Sequence, residues 1–371
     1  MHVGKVKDEF KCQTLKVDNW EEIEIRNEET GMDEIEDRVI GEEKMEEKME
    51  EKYLGDLIST DGRNIKNIKA RVAKGKGIVS KIISILEGIP FGQFYYEVAV
   101  LLRDSLLVSS MLSNSEAWYN VTIAELELLE TVDVDFLRRV LKAPRATPKE
   151  MLYLESGCVP FRDLIKKRRI SFLHYILNEK PESMIYKFLK SQIKSKKRRD
   201  WITQVFKDLG ELEMDLNLEQ VKQIKKSKLK NILNKVIPEK ALERLNDLKK
   251  KHSKVMDLEH KELKMQSYLK GNKSEITKEL AQTIFKMRSR VTEVKLNFRG
   301  KYESLECEVC GKLEESQKHI LECIDILEVK ENKEKPPEYE NIFGKNLKLQ
   351  VEVAKFFVEN MKIKKDLELK T

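Results

Sequence analysis

Residues 64–86, NIKNIKARVAKGKGIVSKIISIL, carry the clearest structural pattern in the chain. At 100° per residue the apolar side chains fall within an arc about 100° wide, and basic side chains spread over the opposite side. The pattern predicts an amphipathic helix that begins at Asn64 and has a basic outer face. Glycine in a helix costs about 1 kcal/mol relative to alanine, so Gly75 and Gly77 predict a kink or a close backbone approach. The apolar positions are Ile65, Ile68, Val72, Val79, Ile82, Ile83 and Leu86, and the basic positions are Lys66, Lys69, Arg71, Lys74, Lys76 and Lys81.

The rest of the chain is expected to be mostly helical as well. Its 371 residues are 40% hydrophobic and 37% charged, with 8 prolines and 15 glycines, which is typical of a helix-rich protein with few turns. Residues 1–25 differ, because apolar and polar positions alternate there as in short strands. The sequence therefore predicts a mainly α fold with a short, partial β segment at the N-terminus. Further helices are predicted at 92–113, 121–142, 161–178 and 182–194, followed by long charged helices to about residue 295.

The net charge of +6 is unevenly distributed along the chain. Residues 21–52 hold fifteen acidic and five basic residues, a net charge of −10, so the remainder must carry +16. Repeated basic runs in that remainder predict a polyanionic partner bound with release of counterions, and nucleic acid is the commonest such partner. The alternative is that each run is the solvated face of a surface helix. The runs are KKRR (166–169), KSKKRRDW (194–201) and KKSKLK (225–230), and the candidate contacts include Lys196, Lys197, Arg198 and Arg199.

Four metal-ligand residues are concentrated in residues 307–323, CEVCGKLEESQKHILEC. Cys307, Cys310, His319 and Cys323 have the spacing C-x2-C-x8-H-x3-C. A C-x2-C turn directs two thiolates at one ion, and a histidine and a cysteine four residues apart share one face of a helix. The pattern predicts a structural Zn²⁺ site of the CCHC type, with all four positions filled by protein. The alternative is a cluster of buried thiols without metal.

The remaining cysteines and the absence of long apolar runs indicate an intracellular, reducing environment. Cys12 and Cys158 are far apart in sequence, which argues against a disulfide framework. The most apolar stretch is interrupted by Arg103 and Asp104, so no membrane span is predicted. Residues 1–10 lack the apolar core of a signal peptide. Nucleus and cytoplasm both remain open.

Four stretches of the chain resemble a known protein family. Residues 53–82, YLGDLISTDGRNIKNIKARVAKGKGIVSKI, and residues 94–121, FYYEVAVLLRDSLLVSSMLSNSEAWYNV, are similar to the region after the catalytic core of reverse transcriptases from non-LTR (LINE-type) retrotransposons. Residues 1–5, MHVGK, resemble the end of the preceding palm motif. Residues 284–302, IFKMRSRVTEVKLNFRGKY, followed by the Cys/His cluster, resemble the C-terminal knuckle region of such elements.

The resemblance implies a nucleic-acid-binding role for particular residues. The YLG segment would lie at the junction of palm and thumb, near the primer strand, and the helices after it would form the thumb. The implied contacts are Tyr53, Leu54 and Gly55 at the junction, and Lys66, Lys69 and Lys74 on a thumb-like helix facing a backbone phosphate. Plain core packing is the alternative for Tyr53 and Leu54.

The catalytic part of such polymerases is not expected in this chain. The family holds two metal ions with one early palm aspartate and a consecutive aspartate pair, which the resemblance places before Met1, and the sequence contains no adjacent aspartates. Asp133 and Asp135 are only two apart, so on a helix they do not face each other, and we expect them to be solvated. His252 and His260 are likewise expected to be solvated in a charged helix.

The interpretation divides the chain into five segments and leaves three functions open. The first function is a C-terminal remnant or module of a reverse transcriptase that holds RNA or an RNA/DNA hybrid without polymerase chemistry of its own. The second is a helical interaction protein whose apolar stripes dock other chains. The apolar positions of residues 347–363 predict a helix that docks either onto the body of this chain or onto a partner helix. The third is part of an RNA-directed DNA polymerase whose palm comes from a longer product. The segments are a palm-like β segment with an acidic insertion (1–63), a thumb-like helical domain (64–150), a basic helical domain (151–299), a CCHC zinc knuckle (300–326) and a tail with a helix (327–371).

Overall fold

The computed structural model describes residues 39–40, 43–44, 49–53, 56–89, 94–195, 200–270, 276–330 and 335–369. The chain divides into two compact units, Met1–Glu51 and Lys52–Thr371. The predicted mainly α fold is confirmed. The short strands expected in residues 1–25 lie outside the described residues, as do Leu54, Gly55 and residues 196–199.

The named β-strands of the described residues form two short pairs. Strand β1 (Val39–Ile40) pairs antiparallel with β2 (Glu43–Lys44), with Val39 opposite Lys44 and Ile40 opposite Glu43. Strand β3 (Glu50–Tyr53) pairs with β4 (Asp56–Ser59). Tyr53 is therefore placed at the end of a strand.

Helices make up most of the second unit. The helix Tyr95–Leu102 continues through a π-helical turn, Arg103–Val108, into Ser109–Met111. Short 3₁₀ segments occupy Ser115–Ala117, Ser267–Leu269, Lys295–Lys301 and Tyr339–Phe343. The helices are α1 (Ile65–Glu87), α2 (Tyr95–Leu102), α3 (Ile123–Leu141), α4 (Lys149–Ser156), α5 (Phe161–Leu177), α6 (Met184–Ser195), α7 (Trp201–Glu211), α8 (Leu218–Gln223), α9 (Lys226–Lys249), α10 (Lys278–Arg288), α11 (Gln317–Glu322), α12 (Ile324–Val329) and α13 (Leu347–Glu368).

Helix α1 has the predicted two-sided character, with one correction. Ile68, Val79 and Ile82 are fully buried, and the five lysines of the basic face are exposed. Arg71, expected on that outer face, is instead buried at 4% exposure. Its guanidinium forms an ion pair with Asp56 and donates to the carbonyl oxygen of Ser110 at 2.8 Å. A long side chain can reach inward when other segments of the chain supply hydrogen-bond acceptors. The helical period of α1 does not reveal such acceptors, because they lie outside the helix.

Gly75 marks a close packing contact rather than a kink. Helix α1 is continuous from Ile65 to Glu87 and packs against α3. A Cβ atom at Gly75 would lie 2.5 Å from Met111 Sδ and 2.9 Å from Val132 Cγ1, whereas one at Gly77 would meet nothing within 4 Å. The two glycines therefore have different structural roles, although they are two residues apart.

Alanine substitutions at the two glycines are expected to have opposite effects on stability. Gly77→Ala should raise the free energy of unfolding by up to about 1 kcal/mol, because alanine favours the helix and its methyl group enters open space. Gly75→Ala gains the same propensity but must displace the side chains of Met111 and Val132, at a cost of about 1–3 kcal/mol. The difference between the unfolding free energies of the two variants, each measured by urea unfolding, gives that packing cost. Equal unfolding free energies would contradict the close contact at Gly75.

One large hydrophobic cluster extends over most of the second unit. Residues from four of the predicted segments share it. Among them are Ile68 of α1, Leu129 of α3, Ile284 of α10, Val353 of α13 and, outside the helices, Cys307. A second cluster is formed by buried residues of α5, α6, α7 and α9, among them Ile170, Leu189, Val205 and Leu233. The five-segment division stays a prediction, while the apolar core passes through several of its boundaries.

Asp133 is part of a buried ion pair and is not solvated as expected. Arg103, 1% exposed, donates to both carboxylate oxygens of Asp133 at 2.6 Å each, and also to the carbonyl of Val159 at 2.8 Å. Asp133 is fully buried, whereas Asp135 is partly exposed and pairs with Arg139 at 3.1 Å. The expectation was wrong for Asp133 because its partner comes from a different helix, thirty residues earlier.

A second buried polar network surrounds Glu155 at the end of α4. This carboxylate is 0% exposed and accepts from Tyr268 Oη at 2.6 Å, from His260 Nε2 at 2.8 Å and from Arg288 Nε at 3.0 and 3.1 Å. Burial by itself would raise the pKa of Glu155, but the charge of Arg288 and the bond from His260 outweigh it and lower the pKa to about 2. His260 was expected to be solvated, and that expectation was wrong.

The segment that carries His260 crosses directly over the end of α4. Gly157 ends this helix with φ +73°, a left-handed conformation that glycine adopts without strain. A Cβ atom at Gly157 would lie 2.2 Å from the backbone nitrogen of Met265. Gln266 then donates its backbone N–H to the carbonyl of Glu155 at 3.0 Å. Only glycine leaves room for this crossing.

Candidate metal centre

The two N-terminal members of the Cys/His cluster lie on a small hairpin. The backbone N–H of Cys307 donates to the carbonyl of Leu313 at 2.8 Å, and Glu306 and Glu314 form an antiparallel bridge. Gly311 turns the chain with φ +61° and donates its N–H to the Cys307 carbonyl at 2.8 Å. This tight turn brings Cys310 back towards Cys307, as the C-x2-C spacing predicts.

The other two members are positioned by helix α11. Ser316 caps the helix, and its hydroxyl oxygen accepts the backbone N–H of His319 at 2.9 Å. Cys323 follows the last residue of α11 directly, and its carbonyl accepts from Leu327 at 3.0 Å as α12 begins. Helix α11 and the residue that ends it therefore bring His319 and Cys323 close to the hairpin.

The structure brings all four predicted ligands together. One ligand atom from each of Cys307, Cys310, His319 and Cys323 can be chosen so that all of them lie within 4.8 Å of one another. Cys310 Sγ lies 3.4 Å from His319 Nε2. Cys307 and Cys323 are buried, at 1% and 0% exposure, and Cys310 is partly exposed. Such a group of converging soft donors can hold one metal ion.

The environment affects the four ligands differently. Burial raises the pKa of Cys307 and raises that of Cys323 to about 12. Burial opposes ionisation of Cys310 as well, but backbone N–H groups of the following turn outweigh it, so the pKa of Cys310 is lowered. Burial also lowers the pKa of His319 and favours the neutral imidazole that can bind a cation. Cys310 is thus the thiol that ionises most readily, and a bound cation would stabilise the other thiolates.

The Cys/His cluster is fixed to the C-terminal helix by polar contacts that the sequence pattern did not predict. Glu315, 1% exposed, accepts from Lys364 Nζ at 2.8 Å and from the backbone N–H of Lys295 at 3.2 Å. Asn360 donates to the carbonyl of Ile320 in α11 at 2.7 Å. Lys364 and Asn360 both belong to α13, more than thirty residues beyond the ligands. No local sequence signal connects them with the cluster.

Helix α13 also buries its own apolar side. Val353, Phe356 and Phe357 are at most 6% exposed and belong to the large hydrophobic cluster. The helix contacts α10, α11 and α12. The sequence left two possibilities for this apolar side, docking onto the body of the chain or binding of a partner helix. In the structure it docks onto the body of the same chain.

The remaining candidate residues are not gathered around the metal centre. Lys66, Lys69 and Lys74 are exposed on α1. In the basic run 166–169, Arg169 is buried and donates to both carboxylate oxygens of Asp208, at 2.6 and 3.0 Å. Nothing can be added for Leu54, Gly55 and residues 196–199, which lie outside the described residues. Lys225, Lys226, Lys228 and Lys230 of the third run are exposed.

Comparison with known proteins gives no relative to this chain. No protein-family model matches it, and no curated protein or solved structure does so either. Among the described residues, no helix combines the length and the apolar composition needed to cross a membrane. The function has therefore to be argued from the geometry and charge of the molecule.

Proposed function

We propose that this chain is a zinc-stabilised, nucleic-acid-binding protein that holds RNA or an RNA/DNA hybrid without polymerase chemistry of its own. The observation that carries the proposal is the convergence of Cys307, Cys310, His319 and Cys323 in a compact knuckle fixed to the helical body. Its resemblance to the C-terminal region of non-LTR reverse transcriptases supplies the class of ligand.

Zinc is the metal that fits this donor set best. Three thiolates and one imidazole suit Zn²⁺ in tetrahedral geometry, whose Zn–S bonds of about 2.3 Å and Zn–N bonds of about 2.0 Å separate neighbouring ligand atoms by about 3.4–3.8 Å. The ligand atoms here are at most 4.8 Å apart, so small side-chain movements suffice for coordination. All four positions are protein ligands, and the zinc is accordingly structural. A reducing compartment keeps the thiols available.

Exposed basic side chains support the choice of a polyanionic ligand. The lysines of α1 lie on one helix face, and four further lysines are exposed between residues 225 and 230. Each lysine that contacts a phosphate releases condensed counterions, which favours binding at low salt. The buried Arg169 does not take part, because its guanidinium is engaged by Asp208.

The other two functions receive less support from the contacts. A helical interaction protein would need an accessible apolar face, whereas the apolar side of α13 is buried in its own chain. A polymerase would need carboxylates that clamp two cations. Asp133 is held by Arg103 instead, so the sequence Asp133-x-Asp135 offers no such clamp.

Neutralising the basic face of α1 is expected to weaken nucleic-acid binding in a salt-dependent manner. For the triple variant Lys66→Gln, Lys69→Gln and Lys74→Gln, the slope of log affinity against log salt should become shallower by up to about 2, since each phosphate contact on a single strand contributes about 0.7. Filter binding to RNA at several salt concentrations measures the slope. The matched control replaces the same lysines by arginine, which keeps the charge and should keep the slope. A wild-type slope near zero would refute the proposed function and favour a protein-interaction role.

A further inference from the structure

A cavity of about 250 Å³ opens beside the segment that leads into the metal centre. It is lined by the aromatic rings of Phe298 and Tyr302, by the buried Val291 and by Lys286 and Lys301. Phe298 is half-buried and Tyr302 is 44% exposed. Glu293 also lines it, so the cavity combines apolar and aromatic walls with two ammonium groups and one carboxylate at an accessible surface.

Lysine side chains lie close to both rings. Lys301 Nζ is 5.1 Å from the ring centroid of Phe298, and Lys295 Nζ is 5.9 Å from that of Tyr302. Lys254 Nζ also lies over Phe298, at 5.6 Å, and donates to the carbonyl of Asn297. Aromatic faces next to cations are the arrangement with which proteins hold an unstacked nucleobase together with its phosphate. Lys301 is exposed, so its side chain can turn from the ring towards a phosphate.

A neighbouring cavity of about 260 Å³ extends the same surface. Lys286 and Glu293 line both cavities, which makes them adjacent. The second cavity is bordered by Phe357 and by Lys362 and Lys365 of α13. Lysines outnumber glutamates over the two cavities together, so the surface complements a polyanion.

We propose that the cavity lined by Phe298 and Tyr302 is a stacking pocket for an unpaired base of single-stranded nucleic acid. The assignment rests on the proposed nucleic-acid-binding function and makes its ligand more specific. In a duplex each base is stacked and paired, and only an unstacked base can enter a pocket between two rings. The adjacent cavity accommodates the next part of the strand, and Lys301 and Lys286 neutralise its phosphates.

The pocket can be tested with the full-length, zinc-loaded chain. Fluorescence anisotropy would measure its affinity for a labelled single-stranded RNA, for single-stranded DNA of the same sequence and for the corresponding duplex. Tyr302→Ala and Phe298→Leu should each weaken single-strand binding about 5- to 150-fold, because stacking on an aromatic ring stabilises a base by about that factor. Duplex binding should change less than about 2-fold. Tyr175→Ala is the matched control, since Tyr175 is 52% exposed and lies outside both cavities.

A second readout separates stacking from any structural role of the rings. An oligonucleotide that contains 2-aminopurine loses fluorescence when this base stacks on an aromatic ring, and the loss should disappear with Tyr302→Ala. If the wild type binds single strands and both ring variants bind them with the same affinity, the assignment of the stacking pocket is wrong, whereas the proposed function is not affected. Equal losses for single strands and duplex would overturn the single-strand assignment. No binding of any polynucleotide by the wild type would overturn the proposed function and the pocket together.

Discussion

Replacement of Cys323 by serine is expected to abolish zinc binding and to destabilise the whole helical unit. Cys323 is fully buried and is one of the four candidate ligands, and a serine hydroxyl is a poor substitute for a thiolate. Structural zinc contributes about 10–16 kcal/mol in isolated zinc-finger peptides, so we expect a loss on the order of 5 kcal/mol or more here. The knuckle residues belong to the large hydrophobic cluster, and their loss should therefore affect cooperative unfolding of the unit.

Zinc content and thermal unfolding measure this effect directly. The wild-type chain should contain one zinc per molecule, and the Cys323→Ser variant close to none. Cys158→Ser is a suitable control, because Cys158 is also buried, at 3% exposure, but is not a member of the Cys/His cluster. That variant should keep its zinc. A Cys323→Ser protein with a full complement of zinc would contradict the assignment of the ligands.

Replacement of Glu155 by alanine is expected to be nearly as damaging. It would leave the guanidinium of Arg288 buried without its carboxylate partner, and it would leave Tyr268 and His260 without an acceptor. Removing one member of a buried ion pair costs about 3–5 kcal/mol. Chemical unfolding should show this loss, and the additional substitution Arg288→Met should recover part of it by removing the uncompensated charge. Asp247→Asn serves as the control, because the pair of Asp247 with Lys250 is exposed and should contribute at most about 1 kcal/mol.

The same carboxylate makes stability depend on acidity. The pKa of Glu155 is lowered from 4.5 to about 2 in the folded chain, so its contribution is fully present above pH 4.5 and is lost as the pH falls towards 2. A depression of this size corresponds to about 3 kcal/mol. Relative to the wild type, Glu155→Gln should show a flatter decline of stability over this pH interval. The Cys/His cluster is the same in both proteins, so its own pH dependence does not affect the comparison. Parallel acid unfolding curves for the two proteins would disprove the role of Glu155.

Local sequence patterns predicted the structural features that depend on residues close together in the chain. Helix α1 followed from a 3.6-residue period in its apolar positions. The four ligands converge as expected because Cys307 and Cys323 are only sixteen positions apart and are joined by one turn and one short helix. In these cases the sequence separation is short enough for spacing to determine geometry.

Contacts between distant segments could not be predicted in this way. Arg71, Asp133 and His260 were expected at the surface because a charged residue on a helix is usually solvated, and the partner of each lies in another element. The docking of the knuckle through Lys364 is of the same kind. The resemblance to reverse transcriptases and the nucleic-acid contacts that it implies stay predictions, which the binding experiments address.

The separation of Glu155 from its partners also has a consequence for biosynthesis. His260, Tyr268 and Arg288 follow it by 105, 113 and 133 residues. At a ribosomal elongation rate of about 5–20 residues per second, the nascent polypeptide carries this carboxylate for roughly 7–27 s before Arg288 is made. Until then α4 can form as a helix but cannot be enclosed without desolvating an uncompensated charge. The final closure around α4 therefore cannot precede the synthesis of Arg288. We expect chaperones to encounter the exposed apolar residues of the earlier helices during that interval.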